Sequence, residues 1–164
     1  MYFSLIDKID ELIPGDSIIA TKSLAMSEEY LRDHFPKFPV MPGVLMIEAM
    51  TQASAWLVRV SENFKHSMVV LKETKNVKFG QFLHPGQTLI VTSKIITDEE
   101  NQTVVKAQGA IEGQVRIRAQ LTLAKYNLED VSVNQGFFDP KLVKELRNEL
   151  SLLWRDVPKE LIAE

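Results

Sequence analysis

The chain has 164 residues, of which 45% are hydrophobic and 25% charged, ordinary values for a single globular domain. Its net charge of −3 argues against broad nucleic-acid binding, so no nucleic-acid partner is expected. The absence of cysteine excludes a disulfide framework, a cysteine nucleophile and thiolate metal ligands.

Two segments with strand character, Tyr2–Ile9 and Ser17–Leu24, begin the chain, and the turn signal Pro14-Gly15-Asp16 lies between them. Ser27-Glu28-Glu29 then predicts a cap and an acidic first turn for a short helix that leads toward Asp33.

The N-terminus lacks a basic region followed by an apolar stretch and a small-residue cleavage site, so a cytoplasmic location is expected.

The next stretch places a histidine, His34, in a loop that three prolines hold extended. A helix is predicted to begin at Pro42-Gly43, because a proline at the first helical position loses no hydrogen bond. The N–H groups that follow have no partner inside the helix and point outward with the positive end of its dipole. Such a helix start is suited to a carbonyl oxygen that gains negative charge.

The helix predicted over Val44–Val60 is apolar nearly all the way round, which indicates burial on every side. It is too short and too often polar for a membrane span. Glu48 and Gln52 are four residues apart, so they share a face and can form a hydrogen bond. Burial disfavours the charged form of a carboxyl, so Glu48 is expected to hold a proton near neutral pH, as a general acid must.

Segments rich in Val, Ile and Thr follow the helix and predict four more strands, at Met68–Phe79, Thr88–Thr97, Thr103–Ile111 and Val115–Lys125. Short turn signals separate them, which indicates an antiparallel sheet and an α+β fold. In the last strand, apolar and polar residues alternate from Val115 to Leu123, so one face should be buried and the other solvated.

After the last predicted strand the pattern changes from strands to a linker and an amphipathic helix. We therefore predict a division of the chain into residues 1–126 and residues 127–164. Asn127–Phe138 is predicted to be an irregular linker, and Asp139-Pro140 a cap with a proline at the first helical position. Apolar residues then recur at helical spacing until Pro158: Leu142, Val143, Leu146, Leu150, Leu153 and Trp154. This helix is expected to pack on its own domain or on a dimer partner; a lid over a binding site is the alternative.

Read together, the residues from His34 to Gln52 follow the pattern H-F-P-x-x-P-x-x-P-G-V-L-x-x-E-A-x-x-Q. This pattern resembles that of the 3-hydroxyacyl-acyl-carrier-protein dehydratases of fatty-acid synthesis, which have the hotdog fold, an antiparallel sheet wrapped around a long central helix. The resemblance extends more loosely from Phe3 to about Lys125. Alone, each residue of the motif also has a structural explanation; the order and spacing favour the catalytic one.

The resemblance implies roles for residues at matching positions. His34 matches the catalytic histidine and Glu48 the catalytic acid, while the amide of Gly43 would hold the thioester carbonyl. The carbonyl of Val40 would orient the histidine ring, and Gln52 would support Glu48. Four apolar residues would line the substrate tunnel: Phe35, Met41, Val44 and Phe79.

The same resemblance implies an active site shared between two subunits of a homodimer, and leaves a trimer of dimers open. The substrate would be a (3R)-3-hydroxyacyl thioester on an acyl carrier protein, and the product a trans-2-enoyl thioester. No cofactor is expected because this elimination involves no net redox change. No metal is expected either, since His66 and His84 are isolated.

Two positions depart from the frequent family residues, and a third distinguishes two branches of the family. Lys37 replaces a frequent glycine, which would strain a loop that needed a positive φ there. Gly80 stands where a basic residue is frequent. The acid is Glu48, whereas the branch that also isomerises the double bond usually carries aspartate, so dehydration alone is expected.

Two other functions stay open at the level of the sequence. Other hotdog proteins hydrolyse thioesters, which needs a positioned water and relies less on a histidine–acid pair. A non-catalytic subunit for acyl binding or dimerisation would have no chemical need for His34 or Glu48, although the C-terminal helix could block a site.

Overall fold

In the computed structural model, which describes residues 3–162, six strands form one antiparallel sheet against a long helix. The strands are β1 (Lys8–Ile13), β2 (Ser17–Ser23), β3 (Met68–Phe79), β4 (Thr88–Asp98), β5 (Gln102–Ile111) and β6 (Gln114–Tyr126). Their order across the sheet is β1-β2-β4-β5-β6-β3. The predicted α+β class and antiparallel sheet are confirmed.

The helices are α1 (Tyr30–Asp33), α2 (Gly43–Ser61), α3 (Leu128–Val131), α4 (Asp139–Leu153) and α5 (Lys159–Ile162), with a 3₁₀ helix over Val133–Phe138. The predicted central helix is confirmed within one residue at each end. Among residues 3–162, no helix combines the length and the apolar composition that crossing a membrane requires.

The first strand begins later than predicted. Its ladder with β2 starts at Lys8, not in the segment from Tyr2; Tyr2 itself lies outside the described residues. Residues 3–6 have strand-like composition, but the backbone of Phe3 and Leu5 forms hydrogen bonds with the side chain of Gln52 in α2 instead of with a neighbouring strand. The predicted turn at Pro14-Gly15-Asp16 does connect β1 to β2.

Strand bounds after the central helix match the predictions within one residue, and the alternation in β6 is confirmed for most positions. Ile117, Ala119, Leu121 and Leu123 are buried, whereas Val115 is only partly buried because it lies at the sheet end. The two-residue turn Glu112-Gly113 has positive φ at both positions, the geometry that matches the twist of a tight hairpin.

Helix α2 packs across one face of the sheet, and its burial differs from one end to the other. From Ala53 to Val58 every side chain is buried, as predicted. In the first half, Val44 is 71% exposed, and Glu48 and Gln52 are half-buried, so the prediction of burial on every side is wrong there. Residues 3–162 of a single chain leave this side of the helix start uncovered.

Strand β3 lies at one edge of the sheet. It pairs with β6 on one side, and within residues 3–162 no strand pairs with its other side. It is 12 residues long and mostly exposed, from Leu71 to Phe79 with the exception of Val77. A long unpaired edge is a ready template for pairing with another chain.

The predicted irregular linker is in fact helical, since α3 and the 3₁₀ helix occupy most of it. Asp139 does not cap its own helix, because α4 includes it and Phe138 is the N-cap residue. Its carboxylate instead accepts hydrogen bonds from the N–H groups of Leu128 (2.8 Å) and Glu129 (3.1 Å) and from the hydroxyl of Ser67. Sequence spacing alone did not indicate this link back to the start of α3.

The C-terminal helix α4 packs on its own chain at the end of α2. Leu150 is fully buried in a cluster with Trp56, Leu57 and Val60 of α2 and with residues of β1 and β2. The guanidinium of Arg147 lies 4.5 Å from the centre of the Phe64 ring and donates to the backbone carbonyls of Asn63 and Leu161. The division of the chain at residue 126 remains a prediction.

An ionic network around a buried lysine fixes the same end of α2 to the sheet. The ammonium of Lys125, on β6, is almost inaccessible and contacts the carboxylates of Glu62 and, at 2.8 Å, Asp98. Burial acts to lower the pKa of Lys125, but hydrogen bonds to Asp98 and Glu62 outweigh it and raise that pKa above the ordinary lysine value. The charge of Lys125 therefore contributes to stability at neutral pH.

Candidate active site

The loop between α1 and α2 holds His34 half-buried at the C-cap of α1. Its backbone N–H donates to the carbonyl of Tyr30 (3.2 Å), and its ring stands at 61° to the ring of Phe35, with centroids 4.3 Å apart. The helix cap predicted at Ser27–Glu29 is wrong in detail: Glu29 is the cap residue and makes no side-chain capping bond.

The loop contains a turn, so the prediction that it is extended throughout is wrong, and among the described residues only its second end is anchored to another part of the chain. Phe38 N–H donates to the carbonyl of Phe35 (2.7 Å), which closes a turn, and Met41 N–H donates to the carbonyl of Leu83 (2.9 Å). Phe35 is in the left-handed region (φ +50°), where a bulky side chain is strained. Lys37 does not have a positive φ, so the strain expected at that position occurs two residues earlier.

The start of α2 leaves amide groups available. Pro42 is the N-cap residue and not the first helical residue as predicted, and its carbonyl accepts from Leu45 (2.9 Å) and Met46 (3.2 Å). The N–H groups of Gly43 and Val44 precede the first intrahelical donors and have no acceptor inside the helix. They carry the positive end of the dipole of a 19-residue helix, so they can bind an oxygen that gains negative charge.

Gly43 and Phe79 lie in contact. A Cβ built on Gly43 would be 2.9 Å from Cε1 and 3.1 Å from Cζ of the Phe79 ring, so the ring occupies the space that a side chain would need. The structure thus brings together the predicted carbonyl-binding amide and one of the predicted tunnel residues, which are 36 positions apart in the sequence.

Glu48 is one turn further along α2, where Oε1 accepts a hydrogen bond from Nε2 of Gln52 (2.9 Å). The hydrogen bond expected from the four-residue spacing is therefore present. Glu48 is half-buried in the single chain and not fully buried as predicted. Within residues 3–162, no hydrogen bond or ion pair joins His34 to Glu48.

The predicted tunnel residues fall into two groups. Phe35, Val44 and Phe79 are 57%, 71% and 49% exposed, so their apolar surface is accessible from outside the chain. Met41 is fully inaccessible within the main core, and Val40 is buried beside it in the chain. Three of the four residues are thus available to a ligand or a partner, and Met41 is not.

The contact of Gln52 with the N-terminal segment is not predictable from the sequence. The amide of Gln52 also bonds to the backbone of Phe3 and Leu5, at distances of 3.1 and 2.7 Å. No sequence signal could have indicated this, because the contact uses backbone atoms of a segment 47–49 residues away. No group of three or more His, Cys, Asp or Glu side chains among the described residues is arranged to hold a metal.

The fold is that of known hotdog proteins. The dehydratase heterocomplex ApeI:P from Xenorhabdus doucetiae superposes with a TM-score of 0.64 at 16% identity, over 76% of this chain and 84% of that one. The acetyl-CoA-bound protein smu.793 from Streptococcus mutans superposes with a TM-score of 0.58 at 17% identity, over 76% of this chain and 91% of that one. The predicted hotdog architecture is confirmed.

Sequence comparison narrows the class. The model of the FabA-like domain family matches residues 1–120. The 3-hydroxyacyl-acyl-carrier-protein dehydratase FabZ of Levilactobacillus brevis is 38% identical over 116 residues, 71% of this chain and 78% of the relative. FabZ of Ruminiclostridium cellulolyticum is 33% identical over 122 residues, which are 74% of this chain and 86% of the relative. The chain therefore belongs to the FabZ-like branch of the hotdog dehydratase family.

Proposed function

We propose that this protein is a hydro-lyase that dehydrates (3R)-3-hydroxyacyl thioesters to trans-2-enoyl thioesters in fatty-acid synthesis or a related acyl-chain pathway. The observation that carries the proposal is the arrangement at the start of α2. An amide at Gly43 without an acceptor inside α2, a carboxyl on the next turn and a loop histidine are the three groups that such an elimination requires. The names of the FabZ relatives support the same reaction and a carrier-bound substrate.

The chemistry follows from these groups. Neutral His34 takes the proton from C2, which the neighbouring thioester carbonyl makes acidic. Negative charge that develops on the carbonyl oxygen meets the amide of Gly43. The C3–O bond breaks as protonated Glu48 gives its proton to the hydroxyl, and water leaves. A proton transfer from the imidazolium back to the carboxylate restores both groups.

We further propose that the working site is shared between two copies of the chain. Three observations support this: the exposed edge β3, the exposed apolar residues Phe35, Val44 and Phe79, and the lack of a hydrogen bond or ion pair between His34 and Glu48 in the part of the chain that the structure describes. A homodimer would cover the start of α2 and place the histidine of one copy opposite the carboxylate of the other. A trimer of dimers and a cytoplasmic location remain predictions.

Turnover of a 3-hydroxybutyryl thioester, on carrier protein and on coenzyme A in parallel, tests the reaction. Dehydration is followed by the absorbance of the conjugated enoyl thioester, and hydrolysis by release of free thiol. Formation of enoyl product without free thiol is the expected result. Release of free thiol would indicate a thioesterase, and no turnover of either substrate would favour a non-catalytic acyl-binding subunit.

Hybrid dimers test the shared site. Inactive His34→Ala and Glu48→Gln chains, mixed under conditions in which mass spectrometry verifies subunit exchange, should regain activity because one of the two sites in a hybrid is intact. Exchange without any recovery would contradict a site built from two chains, whereas dehydration by the wild type would still stand.

A further inference from the structure

The amide of Gln52 is bonded on three sides. Its Oε1 accepts from the backbone N–H of Leu5 at 2.7 Å, and its Nε2 donates to the carbonyl of Phe3 at 3.1 Å and to Oε1 of Glu48 at 2.9 Å. A side-chain amide has two donor hydrogens and one acceptor oxygen, so both of its N–H groups and its carbonyl are used.

The N-terminal segment decides which way this amide faces. A backbone N–H can only donate and a backbone carbonyl can only accept, so Leu5 requires the oxygen of Gln52 and Phe3 requires its nitrogen. A flipped amide would set donor against donor and acceptor against acceptor. The remaining hydrogen on Nε2 must then point to Glu48, since both neighbours fix the plane of the amide.

We propose that the backbone of Phe3–Leu5 positions the catalytic acid by holding Gln52 as an obligatory hydrogen-bond donor to Glu48 Oε1. This inference rests on the proposed role of Glu48 as general acid. It assigns different tasks to the two carboxyl oxygens. Oε1 accepts the amide hydrogen, so the proton that is transferred to the departing hydroxyl sits on Oε2.

The arrangement also favours the proton transfer itself. When Glu48 loses its proton, it becomes a carboxylate, and a hydrogen bond to a charged oxygen is stronger than one to a neutral oxygen. The donor is in place beforehand, because Leu5 and Ile6 are both buried in the core and hold the segment still. The amide therefore stabilises charge that develops in the transition state without having to reorient.

Replacing Gln52 by methionine removes the donor at similar side-chain volume. We expect kcat for the 3-hydroxyacyl substrate to fall roughly tenfold, the size of effect expected when one hydrogen bond to a charged group is lost, with little change in KM. Thr51→Val is the matched control on the same helix. It loses only a bond to its own helix, from Thr51 Oγ1 to the carbonyl of Ile47 (3.0 Å), and should retain the wild-type kcat.

A substrate with a different leaving group separates positioning of the acid from general damage. A 3-chloroacyl thioester loses its C2 proton to His34, and chloride departs with the electrons of the C3–Cl bond, so no proton from Glu48 is needed. Gln52→Met should therefore slow the 3-hydroxy substrate but leave the 3-chloro substrate near its wild-type rate. Equal slowing of both substrates would overturn the assignment.

The role of the N-terminal backbone is tested by a single-atom change. Incorporating the α-hydroxy acid analogue of leucine at Leu5 replaces the N–H by an ester oxygen and leaves the side chain unaltered. The same change at Ile6 is the control, because the Ile6 N–H donates to no atom of residues 3–162. We expect the ester at Leu5, and not the one at Ile6, to reproduce the selective loss on the 3-hydroxy substrate.

Failure of this inference is distinguishable from failure of the proposed function. If wild type dehydrates the substrate and Glu48→Gln does not, the function stands. Wild-type kcat in Gln52→Met, or equal behaviour of the two esters, would then overturn only the positioning role of Phe3–Leu5. If the wild type does not dehydrate the substrate, the proposed function is wrong, and with it the role of Glu48 as general acid.

Discussion

The two ends of helix α2 are built differently. Around Ser61 the chain covers its own helix, with the buried Leu150 of α4 packed in the cluster of Trp56 and Leu57, and with Lys125 bonded to Glu62. Around Gly43 the helix is open on one side, and Val44 and Phe79 are exposed. The end around Ser61, here called the closed end, is packed against other parts of the same chain. The end around Gly43, here called the open end, has the candidate catalytic groups. Stability and chemistry should therefore be separable by mutation.

The largest expected effect is at the open end. His34→Ala and Glu48→Gln should each reduce dehydration by about 10²–10⁴, the usual contribution of a general acid or base. Thermal unfolding should be nearly unchanged, because neither side chain is fully buried. The enoyl absorbance measures the rate, and circular dichroism the unfolding. Retention of more than about a tenth of the wild-type rate would show that the residue has a different role.

At the closed end, Leu150→Ala should lower the free energy of unfolding by about 2–5 kcal/mol, the cost of a cavity at a fully buried leucine. The measurement is denaturant unfolding, and kcat should stay close to that of the wild type. Deleting residues 139–164 should likewise affect stability or assembly more than the chemical step.

Leu152 provides the matched control on the same helix, because it is 80% exposed. Leu152→Ala should change stability by no more than about 0.5 kcal/mol. Equal losses for the two variants would mean that α4 does not dock as described. A truncated chain with unchanged stability and mass but altered chain-length preference would support a lid instead.

Gly43→Ala is a smaller change at the open end. The added methyl group would press on the Phe79 ring at 2.9 Å, and an exposed ring can move, so stability should be nearly unaffected. The methyl group also narrows the approach to the amide, and the rate should fall between about tenfold and a hundredfold, as misplacement of a reacting group by about 1 Å does. A Phe79→Leu second change should restore part of the rate if crowding is the cause, and none if it is not.

The smallest effect is expected at Asp139, and it should depend on pH. Desolvation acts to raise the pKa of this carboxyl, but the hydrogen bonds from Ser67, Leu128 and Glu129 outweigh it and keep the pKa below the ordinary value of 3.8. A lowered pKa stabilises the fold above the ordinary value, and the contribution is lost as pH falls through the lowered one.

Asp139→Asn should therefore lower the melting temperature at pH 7, and the difference from wild type should shrink as pH falls below 3.8. Asp156→Asn, at an exposed position, should show no difference at either pH. A constant gap between Asp139→Asn and wild type down to pH 3 would show that the charge of Asp139 is not what stabilises the start of α3.

Local chemistry is what made much of the molecule predictable. Proline before glycine predicts the start of α2 because both residues act through their own backbone, and the observed helix begins at Gly43. The four-residue spacing of Glu48 and Gln52 predicts their hydrogen bond because a helix has a fixed period. Alternation in β6 predicts its buried face for the same kind of reason.

Tertiary structure decided what depends on partners far away in the sequence. The segment at Leu5 has strand character, yet its N–H is bound by the side chain of Gln52, so β1 starts later. Asp139 has the features of a cap for α4, yet it caps α3 because the chain folds back there. Glu48 has apolar neighbours in sequence, yet it is half-buried, since burial depends on what covers the helix and not on the helix itself.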